Sequence, residues 1–238
     1  MKNAMKTVVL ASLFALMITL AQADPFIRPP ETFAPVWYTT FPYQRNIDMG
    51  FGINPVSSPG SGIPGAVYEG TLDPALKVSD FVQLTGSVSW YGSLGGFTQT
   101  GLIGIDNRQG SSTLTGAAVF HIDNTPDVNR FKDVWGEALA LSSGAGSITE
   151  QVFDPNGNLG RLLGGPANIV LNDEVLSDIE WQITPNPTYE TIVETFSVPA
   201  GGYELFDQFH VATECVPEPA TFTLLALGGL ALLWRRRS

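Results

Sequence analysis

The chain has 238 residues and carries 12 Lys and Arg against 23 Asp and Glu, a formal net charge of −11. An acidic balance of that size repels the phosphate backbone on which nucleic-acid affinity rests, so no nucleic-acid partner is expected. With 25 Gly, 17 Pro and 15% charged residues the composition is that of a loop-rich body rather than a helical one, and a single cysteine, Cys215, excludes an internal disulfide framework.

Met1 to Ala23 reads as a secretory signal peptide. Lys2 and Lys6 precede an apolar run from Thr7 to Leu20, and Ala21-Gln22-Ala23 supplies a small-x-small cleavage site. Asp24 is then the expected mature N-terminus. From Asp24 to Pro219 there are seven bases against 23 acids, a net charge of −16, and between Asp133 and Glu218 fourteen acids accompany one base, Arg161. Solubility outside the cell accounts for such acidity; binding of a divalent cation, including a structural Ca²⁺, is the sharper reading. No other cofactor is indicated.

Residues 24–66 are expected to form an extended arm lying on the domain. Pro25, Pro29, Pro30, Pro35 and Pro42 alternate there with Phe33, Trp37, Tyr38, Phe41 and Tyr43, and disordered chains are poor in such aromatics. Pro59-Gly60-Ser61-Gly62 reads as a flexible turn.

The body is expected over residues 67–214. From Phe81 onward, short runs rich in Val, Ile, Thr and aromatics are broken about every ten residues by Gly, Asn or Asp, the spacing of antiparallel β structure. Nine strands are predicted: Phe81 to Tyr91, Phe97 to Ile105, Ser112 to Ile122, Val134 to Leu141, Ser147 to Phe153, Ala167 to Leu171, Asp178 to Thr184, Tyr189 to Val198 and Tyr203 to Thr213. A short helical turn is allowed for Asp127 to Glu137. In the second strand Phe97, Gln99, Gly101, Ile103 and Ile105 share a face, with a hairpin through Asp106-Asn107-Arg108-Gln109-Gly110. In the last, Tyr203, Leu205, Asp207, Phe209 and Val211 oppose Glu204, Phe206, Gln208 and His210. The fold class is therefore all-β, a single antiparallel β-sandwich of jelly-roll type.

Chemistry-bearing residues are few. Trp90-Tyr91, Trp135 and Trp181 could form a sugar-stacking platform, although a strand Trp more often packs into the core. His121 and His210 are the only histidines, each within a predicted strand, and no Gly-x-Ser-x-Gly elbow accompanies them. Asp123-Asn124-Thr125-Pro126-Asp127 is an oxygen-rich loop. Asp154-Pro155-Asn156-Gly157-Asn158 begins like a calcium loop but lacks Gly at the sixth position and Glu at the twelfth, and Asn156-Gly157 is a hairpin signal in its own right. In Asp178-Ile179-Glu180-Trp181 two carboxylates project to one face of a strand, an arrangement that resembles jelly-roll glycosidases of the laminarinase type. Leu176 stands where those enzymes carry their nucleophilic Glu, so the body is expected to be no enzyme. Cys215 reads as an idle thiol, an intermolecular disulfide or an attachment point.

The tail, 215–238, is the most specific stretch. In Val216-Pro217-Glu218-Pro219 both prolines fix φ and push the residues before them out of the α region, giving a stiff, extended, exposed peptide. Ala220 to Trp234 is uncharged, and as a helix it reaches about 22 Å at 1.5 Å per residue, short of a hydrocarbon core of about 30 Å. Arg235, Arg236 and Arg237 hold the last residues on the cytoplasmic side. The Pro-Glu-Pro, the apolar run containing Gly228-Gly229 and the terminal arginines together resemble the PEP-CTERM sorting signal, also called the ice-binding protein C-terminal motif. That resemblance is confined to residues 216–238. It implies an exopolysaccharide-producing Gram-negative cell in which an exosortase recognises Val216, Pro217, Glu218 and Pro219. The protein would be exported, held in the inner membrane through 220–234 as an intermediate, then sorted to the cell surface, outer envelope or extracellular matrix. The body would be structural or adhesive, with a carbohydrate-binding module as the alternative and a secreted hydrolase as a further one.

Overall fold

The computed structural model describes residues 44–70, 79–124, 130–171 and 174–217. The signal peptide, arm residues 24–43 and everything from Glu218 onward lie outside the described residues. Twelve strands are described: β1 (Gln44–Gly50), β2 (Val67–Gly70), β3 (Phe81–Gly86), β4 (Ser89–Tyr91), β5 (Leu102–Asp106), β6 (Leu114–Asp123), β7 (Arg130–Ser142), β8 (Ser147–Phe153), β9 (Arg161–Leu171), β10 (Glu174–Ile183), β11 (Tyr189–Val198) and β12 (Tyr203–Pro217). All pairs between these strands are antiparallel, in two sheets. The larger runs β2-β1-β12-β7-β10-β9, with β5 on the early part of β12 and β4 on β5; the smaller runs β3-β6-β11-β8. From β5 to β8 successive strands alternate between the sheets.

Apolar alternation explains the sandwich. Along β11, Ile192, Phe196 and Val198 are buried and face inward, with Ala118, Phe120 and Ile122 of β6 and Val152 of β8 beside them. Opposite stand Val134, Ala138 and Ala140 of β7, Trp181 and Ile183 of β10, and Phe206, Phe209 and Val211 of β12. Phe120 meets Phe209 at 4.5 Å between ring centroids, and Phe196 meets Phe206 at 5.1 Å edge to face, a geometry that aromatic quadrupoles favour. A second, smaller cluster of Leu102, Leu141 and Leu205 sits with Tyr91, Leu94, Phe97 and Tyr203 packed against it.

Several expectations are corrected. The single strand predicted over Phe81 to Tyr91 is two strands in different sheets. Gly86 between them adopts φ +62, and a Cβ there would lie 2.6 Å from the Thr115 carbonyl oxygen, so the turn is open to glycine alone. The strand predicted from Phe97 begins only at Leu102, because Gly101 takes φ +79 and any Cβ there would overlap the Phe51 carbonyl. In β12 the register slips between Phe206 and Gln208, so the two faces exchange there. Phe206 and Phe209 both reach the core, and the expected strict alternation through Asp207 does not hold. Residues 130–137 of the allowed helical turn belong to β7. Gln44–Gly50, placed in the arm, is a strand of the larger sheet: Arg45–Asp48 pairs with Gly70–Val67, and the whole of β1 pairs with Glu214–Gln208.

The hairpin between β5 and β6 runs through 106–110 as expected, and its anchor is Asn107. This buried side chain donates through Nδ2 to Ser112 O at 2.8 Å and Val198 O at 2.9 Å, tying the turn to the end of β11. Beside it the Arg108 guanidinium donates twice to the Asp106 carboxylate and lies 4.7 Å from the Phe97 ring centroid. Pro166, which cannot donate to a ladder, falls where the β9 to β10 register slips between Asp178 and Glu180.

Candidate functional site

Three glutamates on inward positions surround a cavity of about 280 Å³ between the sheets. Ala138, Ala140 and Ser142 of β7 and Val175, Ser177 and Ile179 of β10 line one side, joined by Glu204 and Phe206 of β12. Ile148 and Glu150 of β8 and Glu194 of β11 line the other. Glu150 and Glu194 are cross-strand partners and hydrogen-bond to each other through their side chains. Trp181 Nε1 donates to Glu150 Oε1 at 2.8 Å across the sandwich. Glu204 Oε1 accepts from Ser142 Oγ at 2.8 Å and from the Gly146 N–H at 3.2 Å.

Two glycines make room for these carboxyls. A Cβ on Gly136 would overlap Glu150 Oε2, and one on Gly146 would lie 2.6 Å from Glu204 Cγ. Burial disfavours the charged forms. It pushes Glu150 up from 4.5 to about 7, against the lowering effect of its hydrogen bonds with Glu194 and Trp181. Glu194 is held well above its ordinary range, first by burial, then by the Glu150 charge and the hydrogen bond between them. Glu204 is raised by burial, with Ser142 and Gly146 opposing. Both carboxyls are thus held toward their neutral forms, and the hydrogen bond between them needs one of the two to be protonated. Elsewhere between the sheets, Lys132 Nζ and Glu190 Oε1 form a buried ion pair at 3.8 Å.

The residues singled out from the sequence are not brought into one site. Trp135 and Trp181 are buried, and Trp90 is half-buried with its N–H on the Phe51 carbonyl at 2.8 Å, so these three form no stacking platform. Packing takes them, as it takes most strand tryptophans. His121 stacks on Phe81 at 4.5 Å and reaches Asp123 at 3.1 Å, in the smaller sheet. His210, in the larger sheet, reaches Asp48 at 2.5 Å with Trp135 beside it. Trp181 faces inward, so Glu180, next to it in the strand, faces outward. The Asp154 carboxylate accepts from the Asn156 and Asn158 N–H groups at 2.9 and 2.8 Å and from Asn158 Nδ2 at 2.8 Å, closing a hairpin turn. In the other oxygen-rich loop, Asp123 N donates to Asp80 and Asn124 Nδ2 to the Pro187 carbonyl, while 125–127 lie outside the described residues. Among the described residues no group of three or more His, Cys, Asp or Glu has a metal-holding arrangement.

The other candidate is the end of β12. Its backbone pairs with β7 through Thr213↔Val134, Glu214↔Asp133, Cys215↔Lys132, Val216↔Phe131 and Pro217↔Arg130, while on its far side β1 reaches only to Gln44↔Glu214. The last strand is thus longer than the expected Tyr203 to Thr213 run and continues into Val216-Pro217. Glu218, Pro219, Arg235, Arg236 and Arg237, like Ala21 and Ala23, lie outside the described residues.

No curated protein matches the sequence. Among solved structures, TmCBM61 in complex with beta-1,4-galactotriose is similar with a TM-score of 0.30 and 10% identity, over 55% of this chain and 86% of that one. CBM35 from Cellvibrio japonicus Abf62 is similar with a TM-score of 0.29 and 15% identity, over 55% and 91%. The enzymatically active domain of bacteriophage CBA120 tailspike protein 4 gives 0.24 and 10%, over 55% and 19%. Likenesses this low decide nothing about ligand or activity. The model of the PEP-CTERM protein-sorting motif matches residues 216–237, so the chain carries that motif at the end of its last strand and is an exported protein sorted to the cell envelope or surface.

Proposed function

We propose that an exosortase recognises Val216-Pro217-Glu218-Pro219 while residues 220–234 hold the exported protein in the inner membrane, and delivers it to the outer envelope or the extracellular polysaccharide matrix. There the sandwich, read as a jelly roll from the alternation of β5 to β8 between sheets, is a structural or adhesive body and not a catalyst. The observation that carries this reading is the sorting motif beginning within β12. Replacing Pro217-Glu218-Pro219 by three alanines should leave an unprocessed precursor in the membrane fraction. Normal processing and release of that variant would refute the sorting reading.

A second reading, a carbohydrate-binding body, moves from the tryptophans to the cavity with Glu150, Glu194 and Glu204, because carboxyls can accept from sugar hydroxyls. Retention on a glycan array that is lost in Glu204→Ala would favour it; no retention with or without Ca²⁺ would end it. The same cluster speaks less for a glycosidase. Retaining carboxyls stand about 5–5.5 Å apart and inverting ones about 6.5–9.5 Å, whereas Glu150 and Glu194 are in direct hydrogen bond.

A further inference from the structure

The first two residues of the sorting motif are also the last two of a strand. Val216 and Pro217 pair with Phe131 and Arg130, and Cys215 pairs with Lys132, so no slack separates the folded body from Glu218. An enzyme that reads an extended peptide needs that peptide's backbone edges for its own groove. Here one edge is already taken by β7. Upstream, Glu214 is paired on both edges, by Asp133 and by Gln44, and Thr213 is fully buried, so release cannot spread far into β12.

From this geometry we infer that recognition of the motif requires Cys215–Pro217 to detach from Arg130–Lys132, which makes the rate of sorting depend on how tightly the end of β12 is held. The body thereby restrains its own sorting signal. This rests on the exosortase reading above and adds to it the partner's need for an unpaired strand end. Pro217 itself favours such release, since it has no N–H to give the ladder.

The test is a pulse-chase of the full chain in cells that process it, comparing wild type, a six-residue Gly/Ser insertion between Cys215 and Val216, and the triple alanine replacement of Pro217-Glu218-Pro219. The insertion places the motif clear of the sheet while leaving its sequence intact. Conversion of precursor should accelerate about fivefold to fiftyfold, the equivalent of one or two net backbone hydrogen bonds. An unchanged or slower rate, with the alanine variant still blocked, overturns the inference and leaves the sorting reading standing. An alanine variant processed at the wild-type rate overturns both. Should the insertion disturb the body, amide exchange on the wild-type full chain decides. Adjacent amides of a strand point to opposite edges, so protection of the one of the Cys215 and Val216 amides that faces β7 supports the inference, and exchange of both at coil rates overturns it.

Discussion

The buried carboxyl pair predicts a body that is more stable in acid than in mild base. Burial raises Glu150 from 4.5 to about 7 and Glu194 well above its ordinary value, so between those limits the folded state keeps protons that the unfolded chain gives up. Stability rises with pH only where the unfolded state binds more protons; here it binds fewer, and stability falls as pH climbs. The full contribution is present below about pH 4.5; the Glu150 part is lost progressively up to about pH 7, and the Glu194 part is lost as that group titrates well above its ordinary value. At about 1.4 kcal/mol per pH unit, the Glu150 displacement alone is on the order of 3 kcal/mol. For a body of this size 1 kcal/mol moves Tm by about 2–4 °C, so Tm should drop by roughly 6–12 °C between about pH 4.5 and 8. Thermal melts of the protein without its signal peptide and tail, in about 0.5 M NaCl where the Debye length is about 4 Å, separate this from surface repulsion. Glu194→Gln keeps a donor aimed at Glu150 and stays neutral at every pH. It should match wild type in acid and melt several degrees higher in mild base. A wild-type Tm that is flat or rises with pH, or a Glu194→Gln variant with the wild-type slope, refutes the assignment.

Two further outcomes follow from the residues between the sheets. Gly136→Ala drives a Cβ into Glu150 Oε2 and must push that carboxyl away from Trp181, a loss of about 2–4 kcal/mol in urea unfolding with the indole N–H left buried. Lys132→Met removes the cation facing the buried Glu190 and should cost about 3–5 kcal/mol, whereas the double variant Lys132→Met/Glu190→Leu should recover most of it, since a buried ion pair is worth little more than apolar residues of similar volume. A double variant no more stable than the single one would count against that account of the pair.

The strand ladder is legible in the sequence because period-two alternation and turn residues are local. Ser147–Phe153 and Tyr189–Val198 fall where the pattern puts them, to the residue. Where the two part, a distant partner decides. Gly86 and Gly101 look like ordinary strand glycines, and only the approach of Thr115 and Phe51 shows why each breaks a strand. The slip beside Asp207 leaves no mark in the sequence, for both parities of β12 carry apolar residues. β1 is hidden by its neighbours, because prolines and aromatics on its N-terminal side make the whole stretch read as an arm.

The carboxyl cluster is written in the sequence only in part. Glu194 lies between Ile192 and Phe196 on the buried parity of β11, Glu150 between Ile148 and Val152 on that of β8, and Glu204 two residues before Phe206. A glutamate in register with an apolar row is a signal, since a carboxylate there must be paired or neutral. Overall acidity masks it: fourteen acids against one base from Asp133 to Glu218 invite the reading of a solvated surface. What no single strand can show is that β8 and β11 lie side by side and set Glu150 against Glu194, or that Trp181, which follows Asp178 and Glu180 in β10, turns its N–H inward to Glu150. The acid pair that spacing suggests lies along one strand, whereas the pair that is held together is built across two, and cross-strand partners are fixed by register alone.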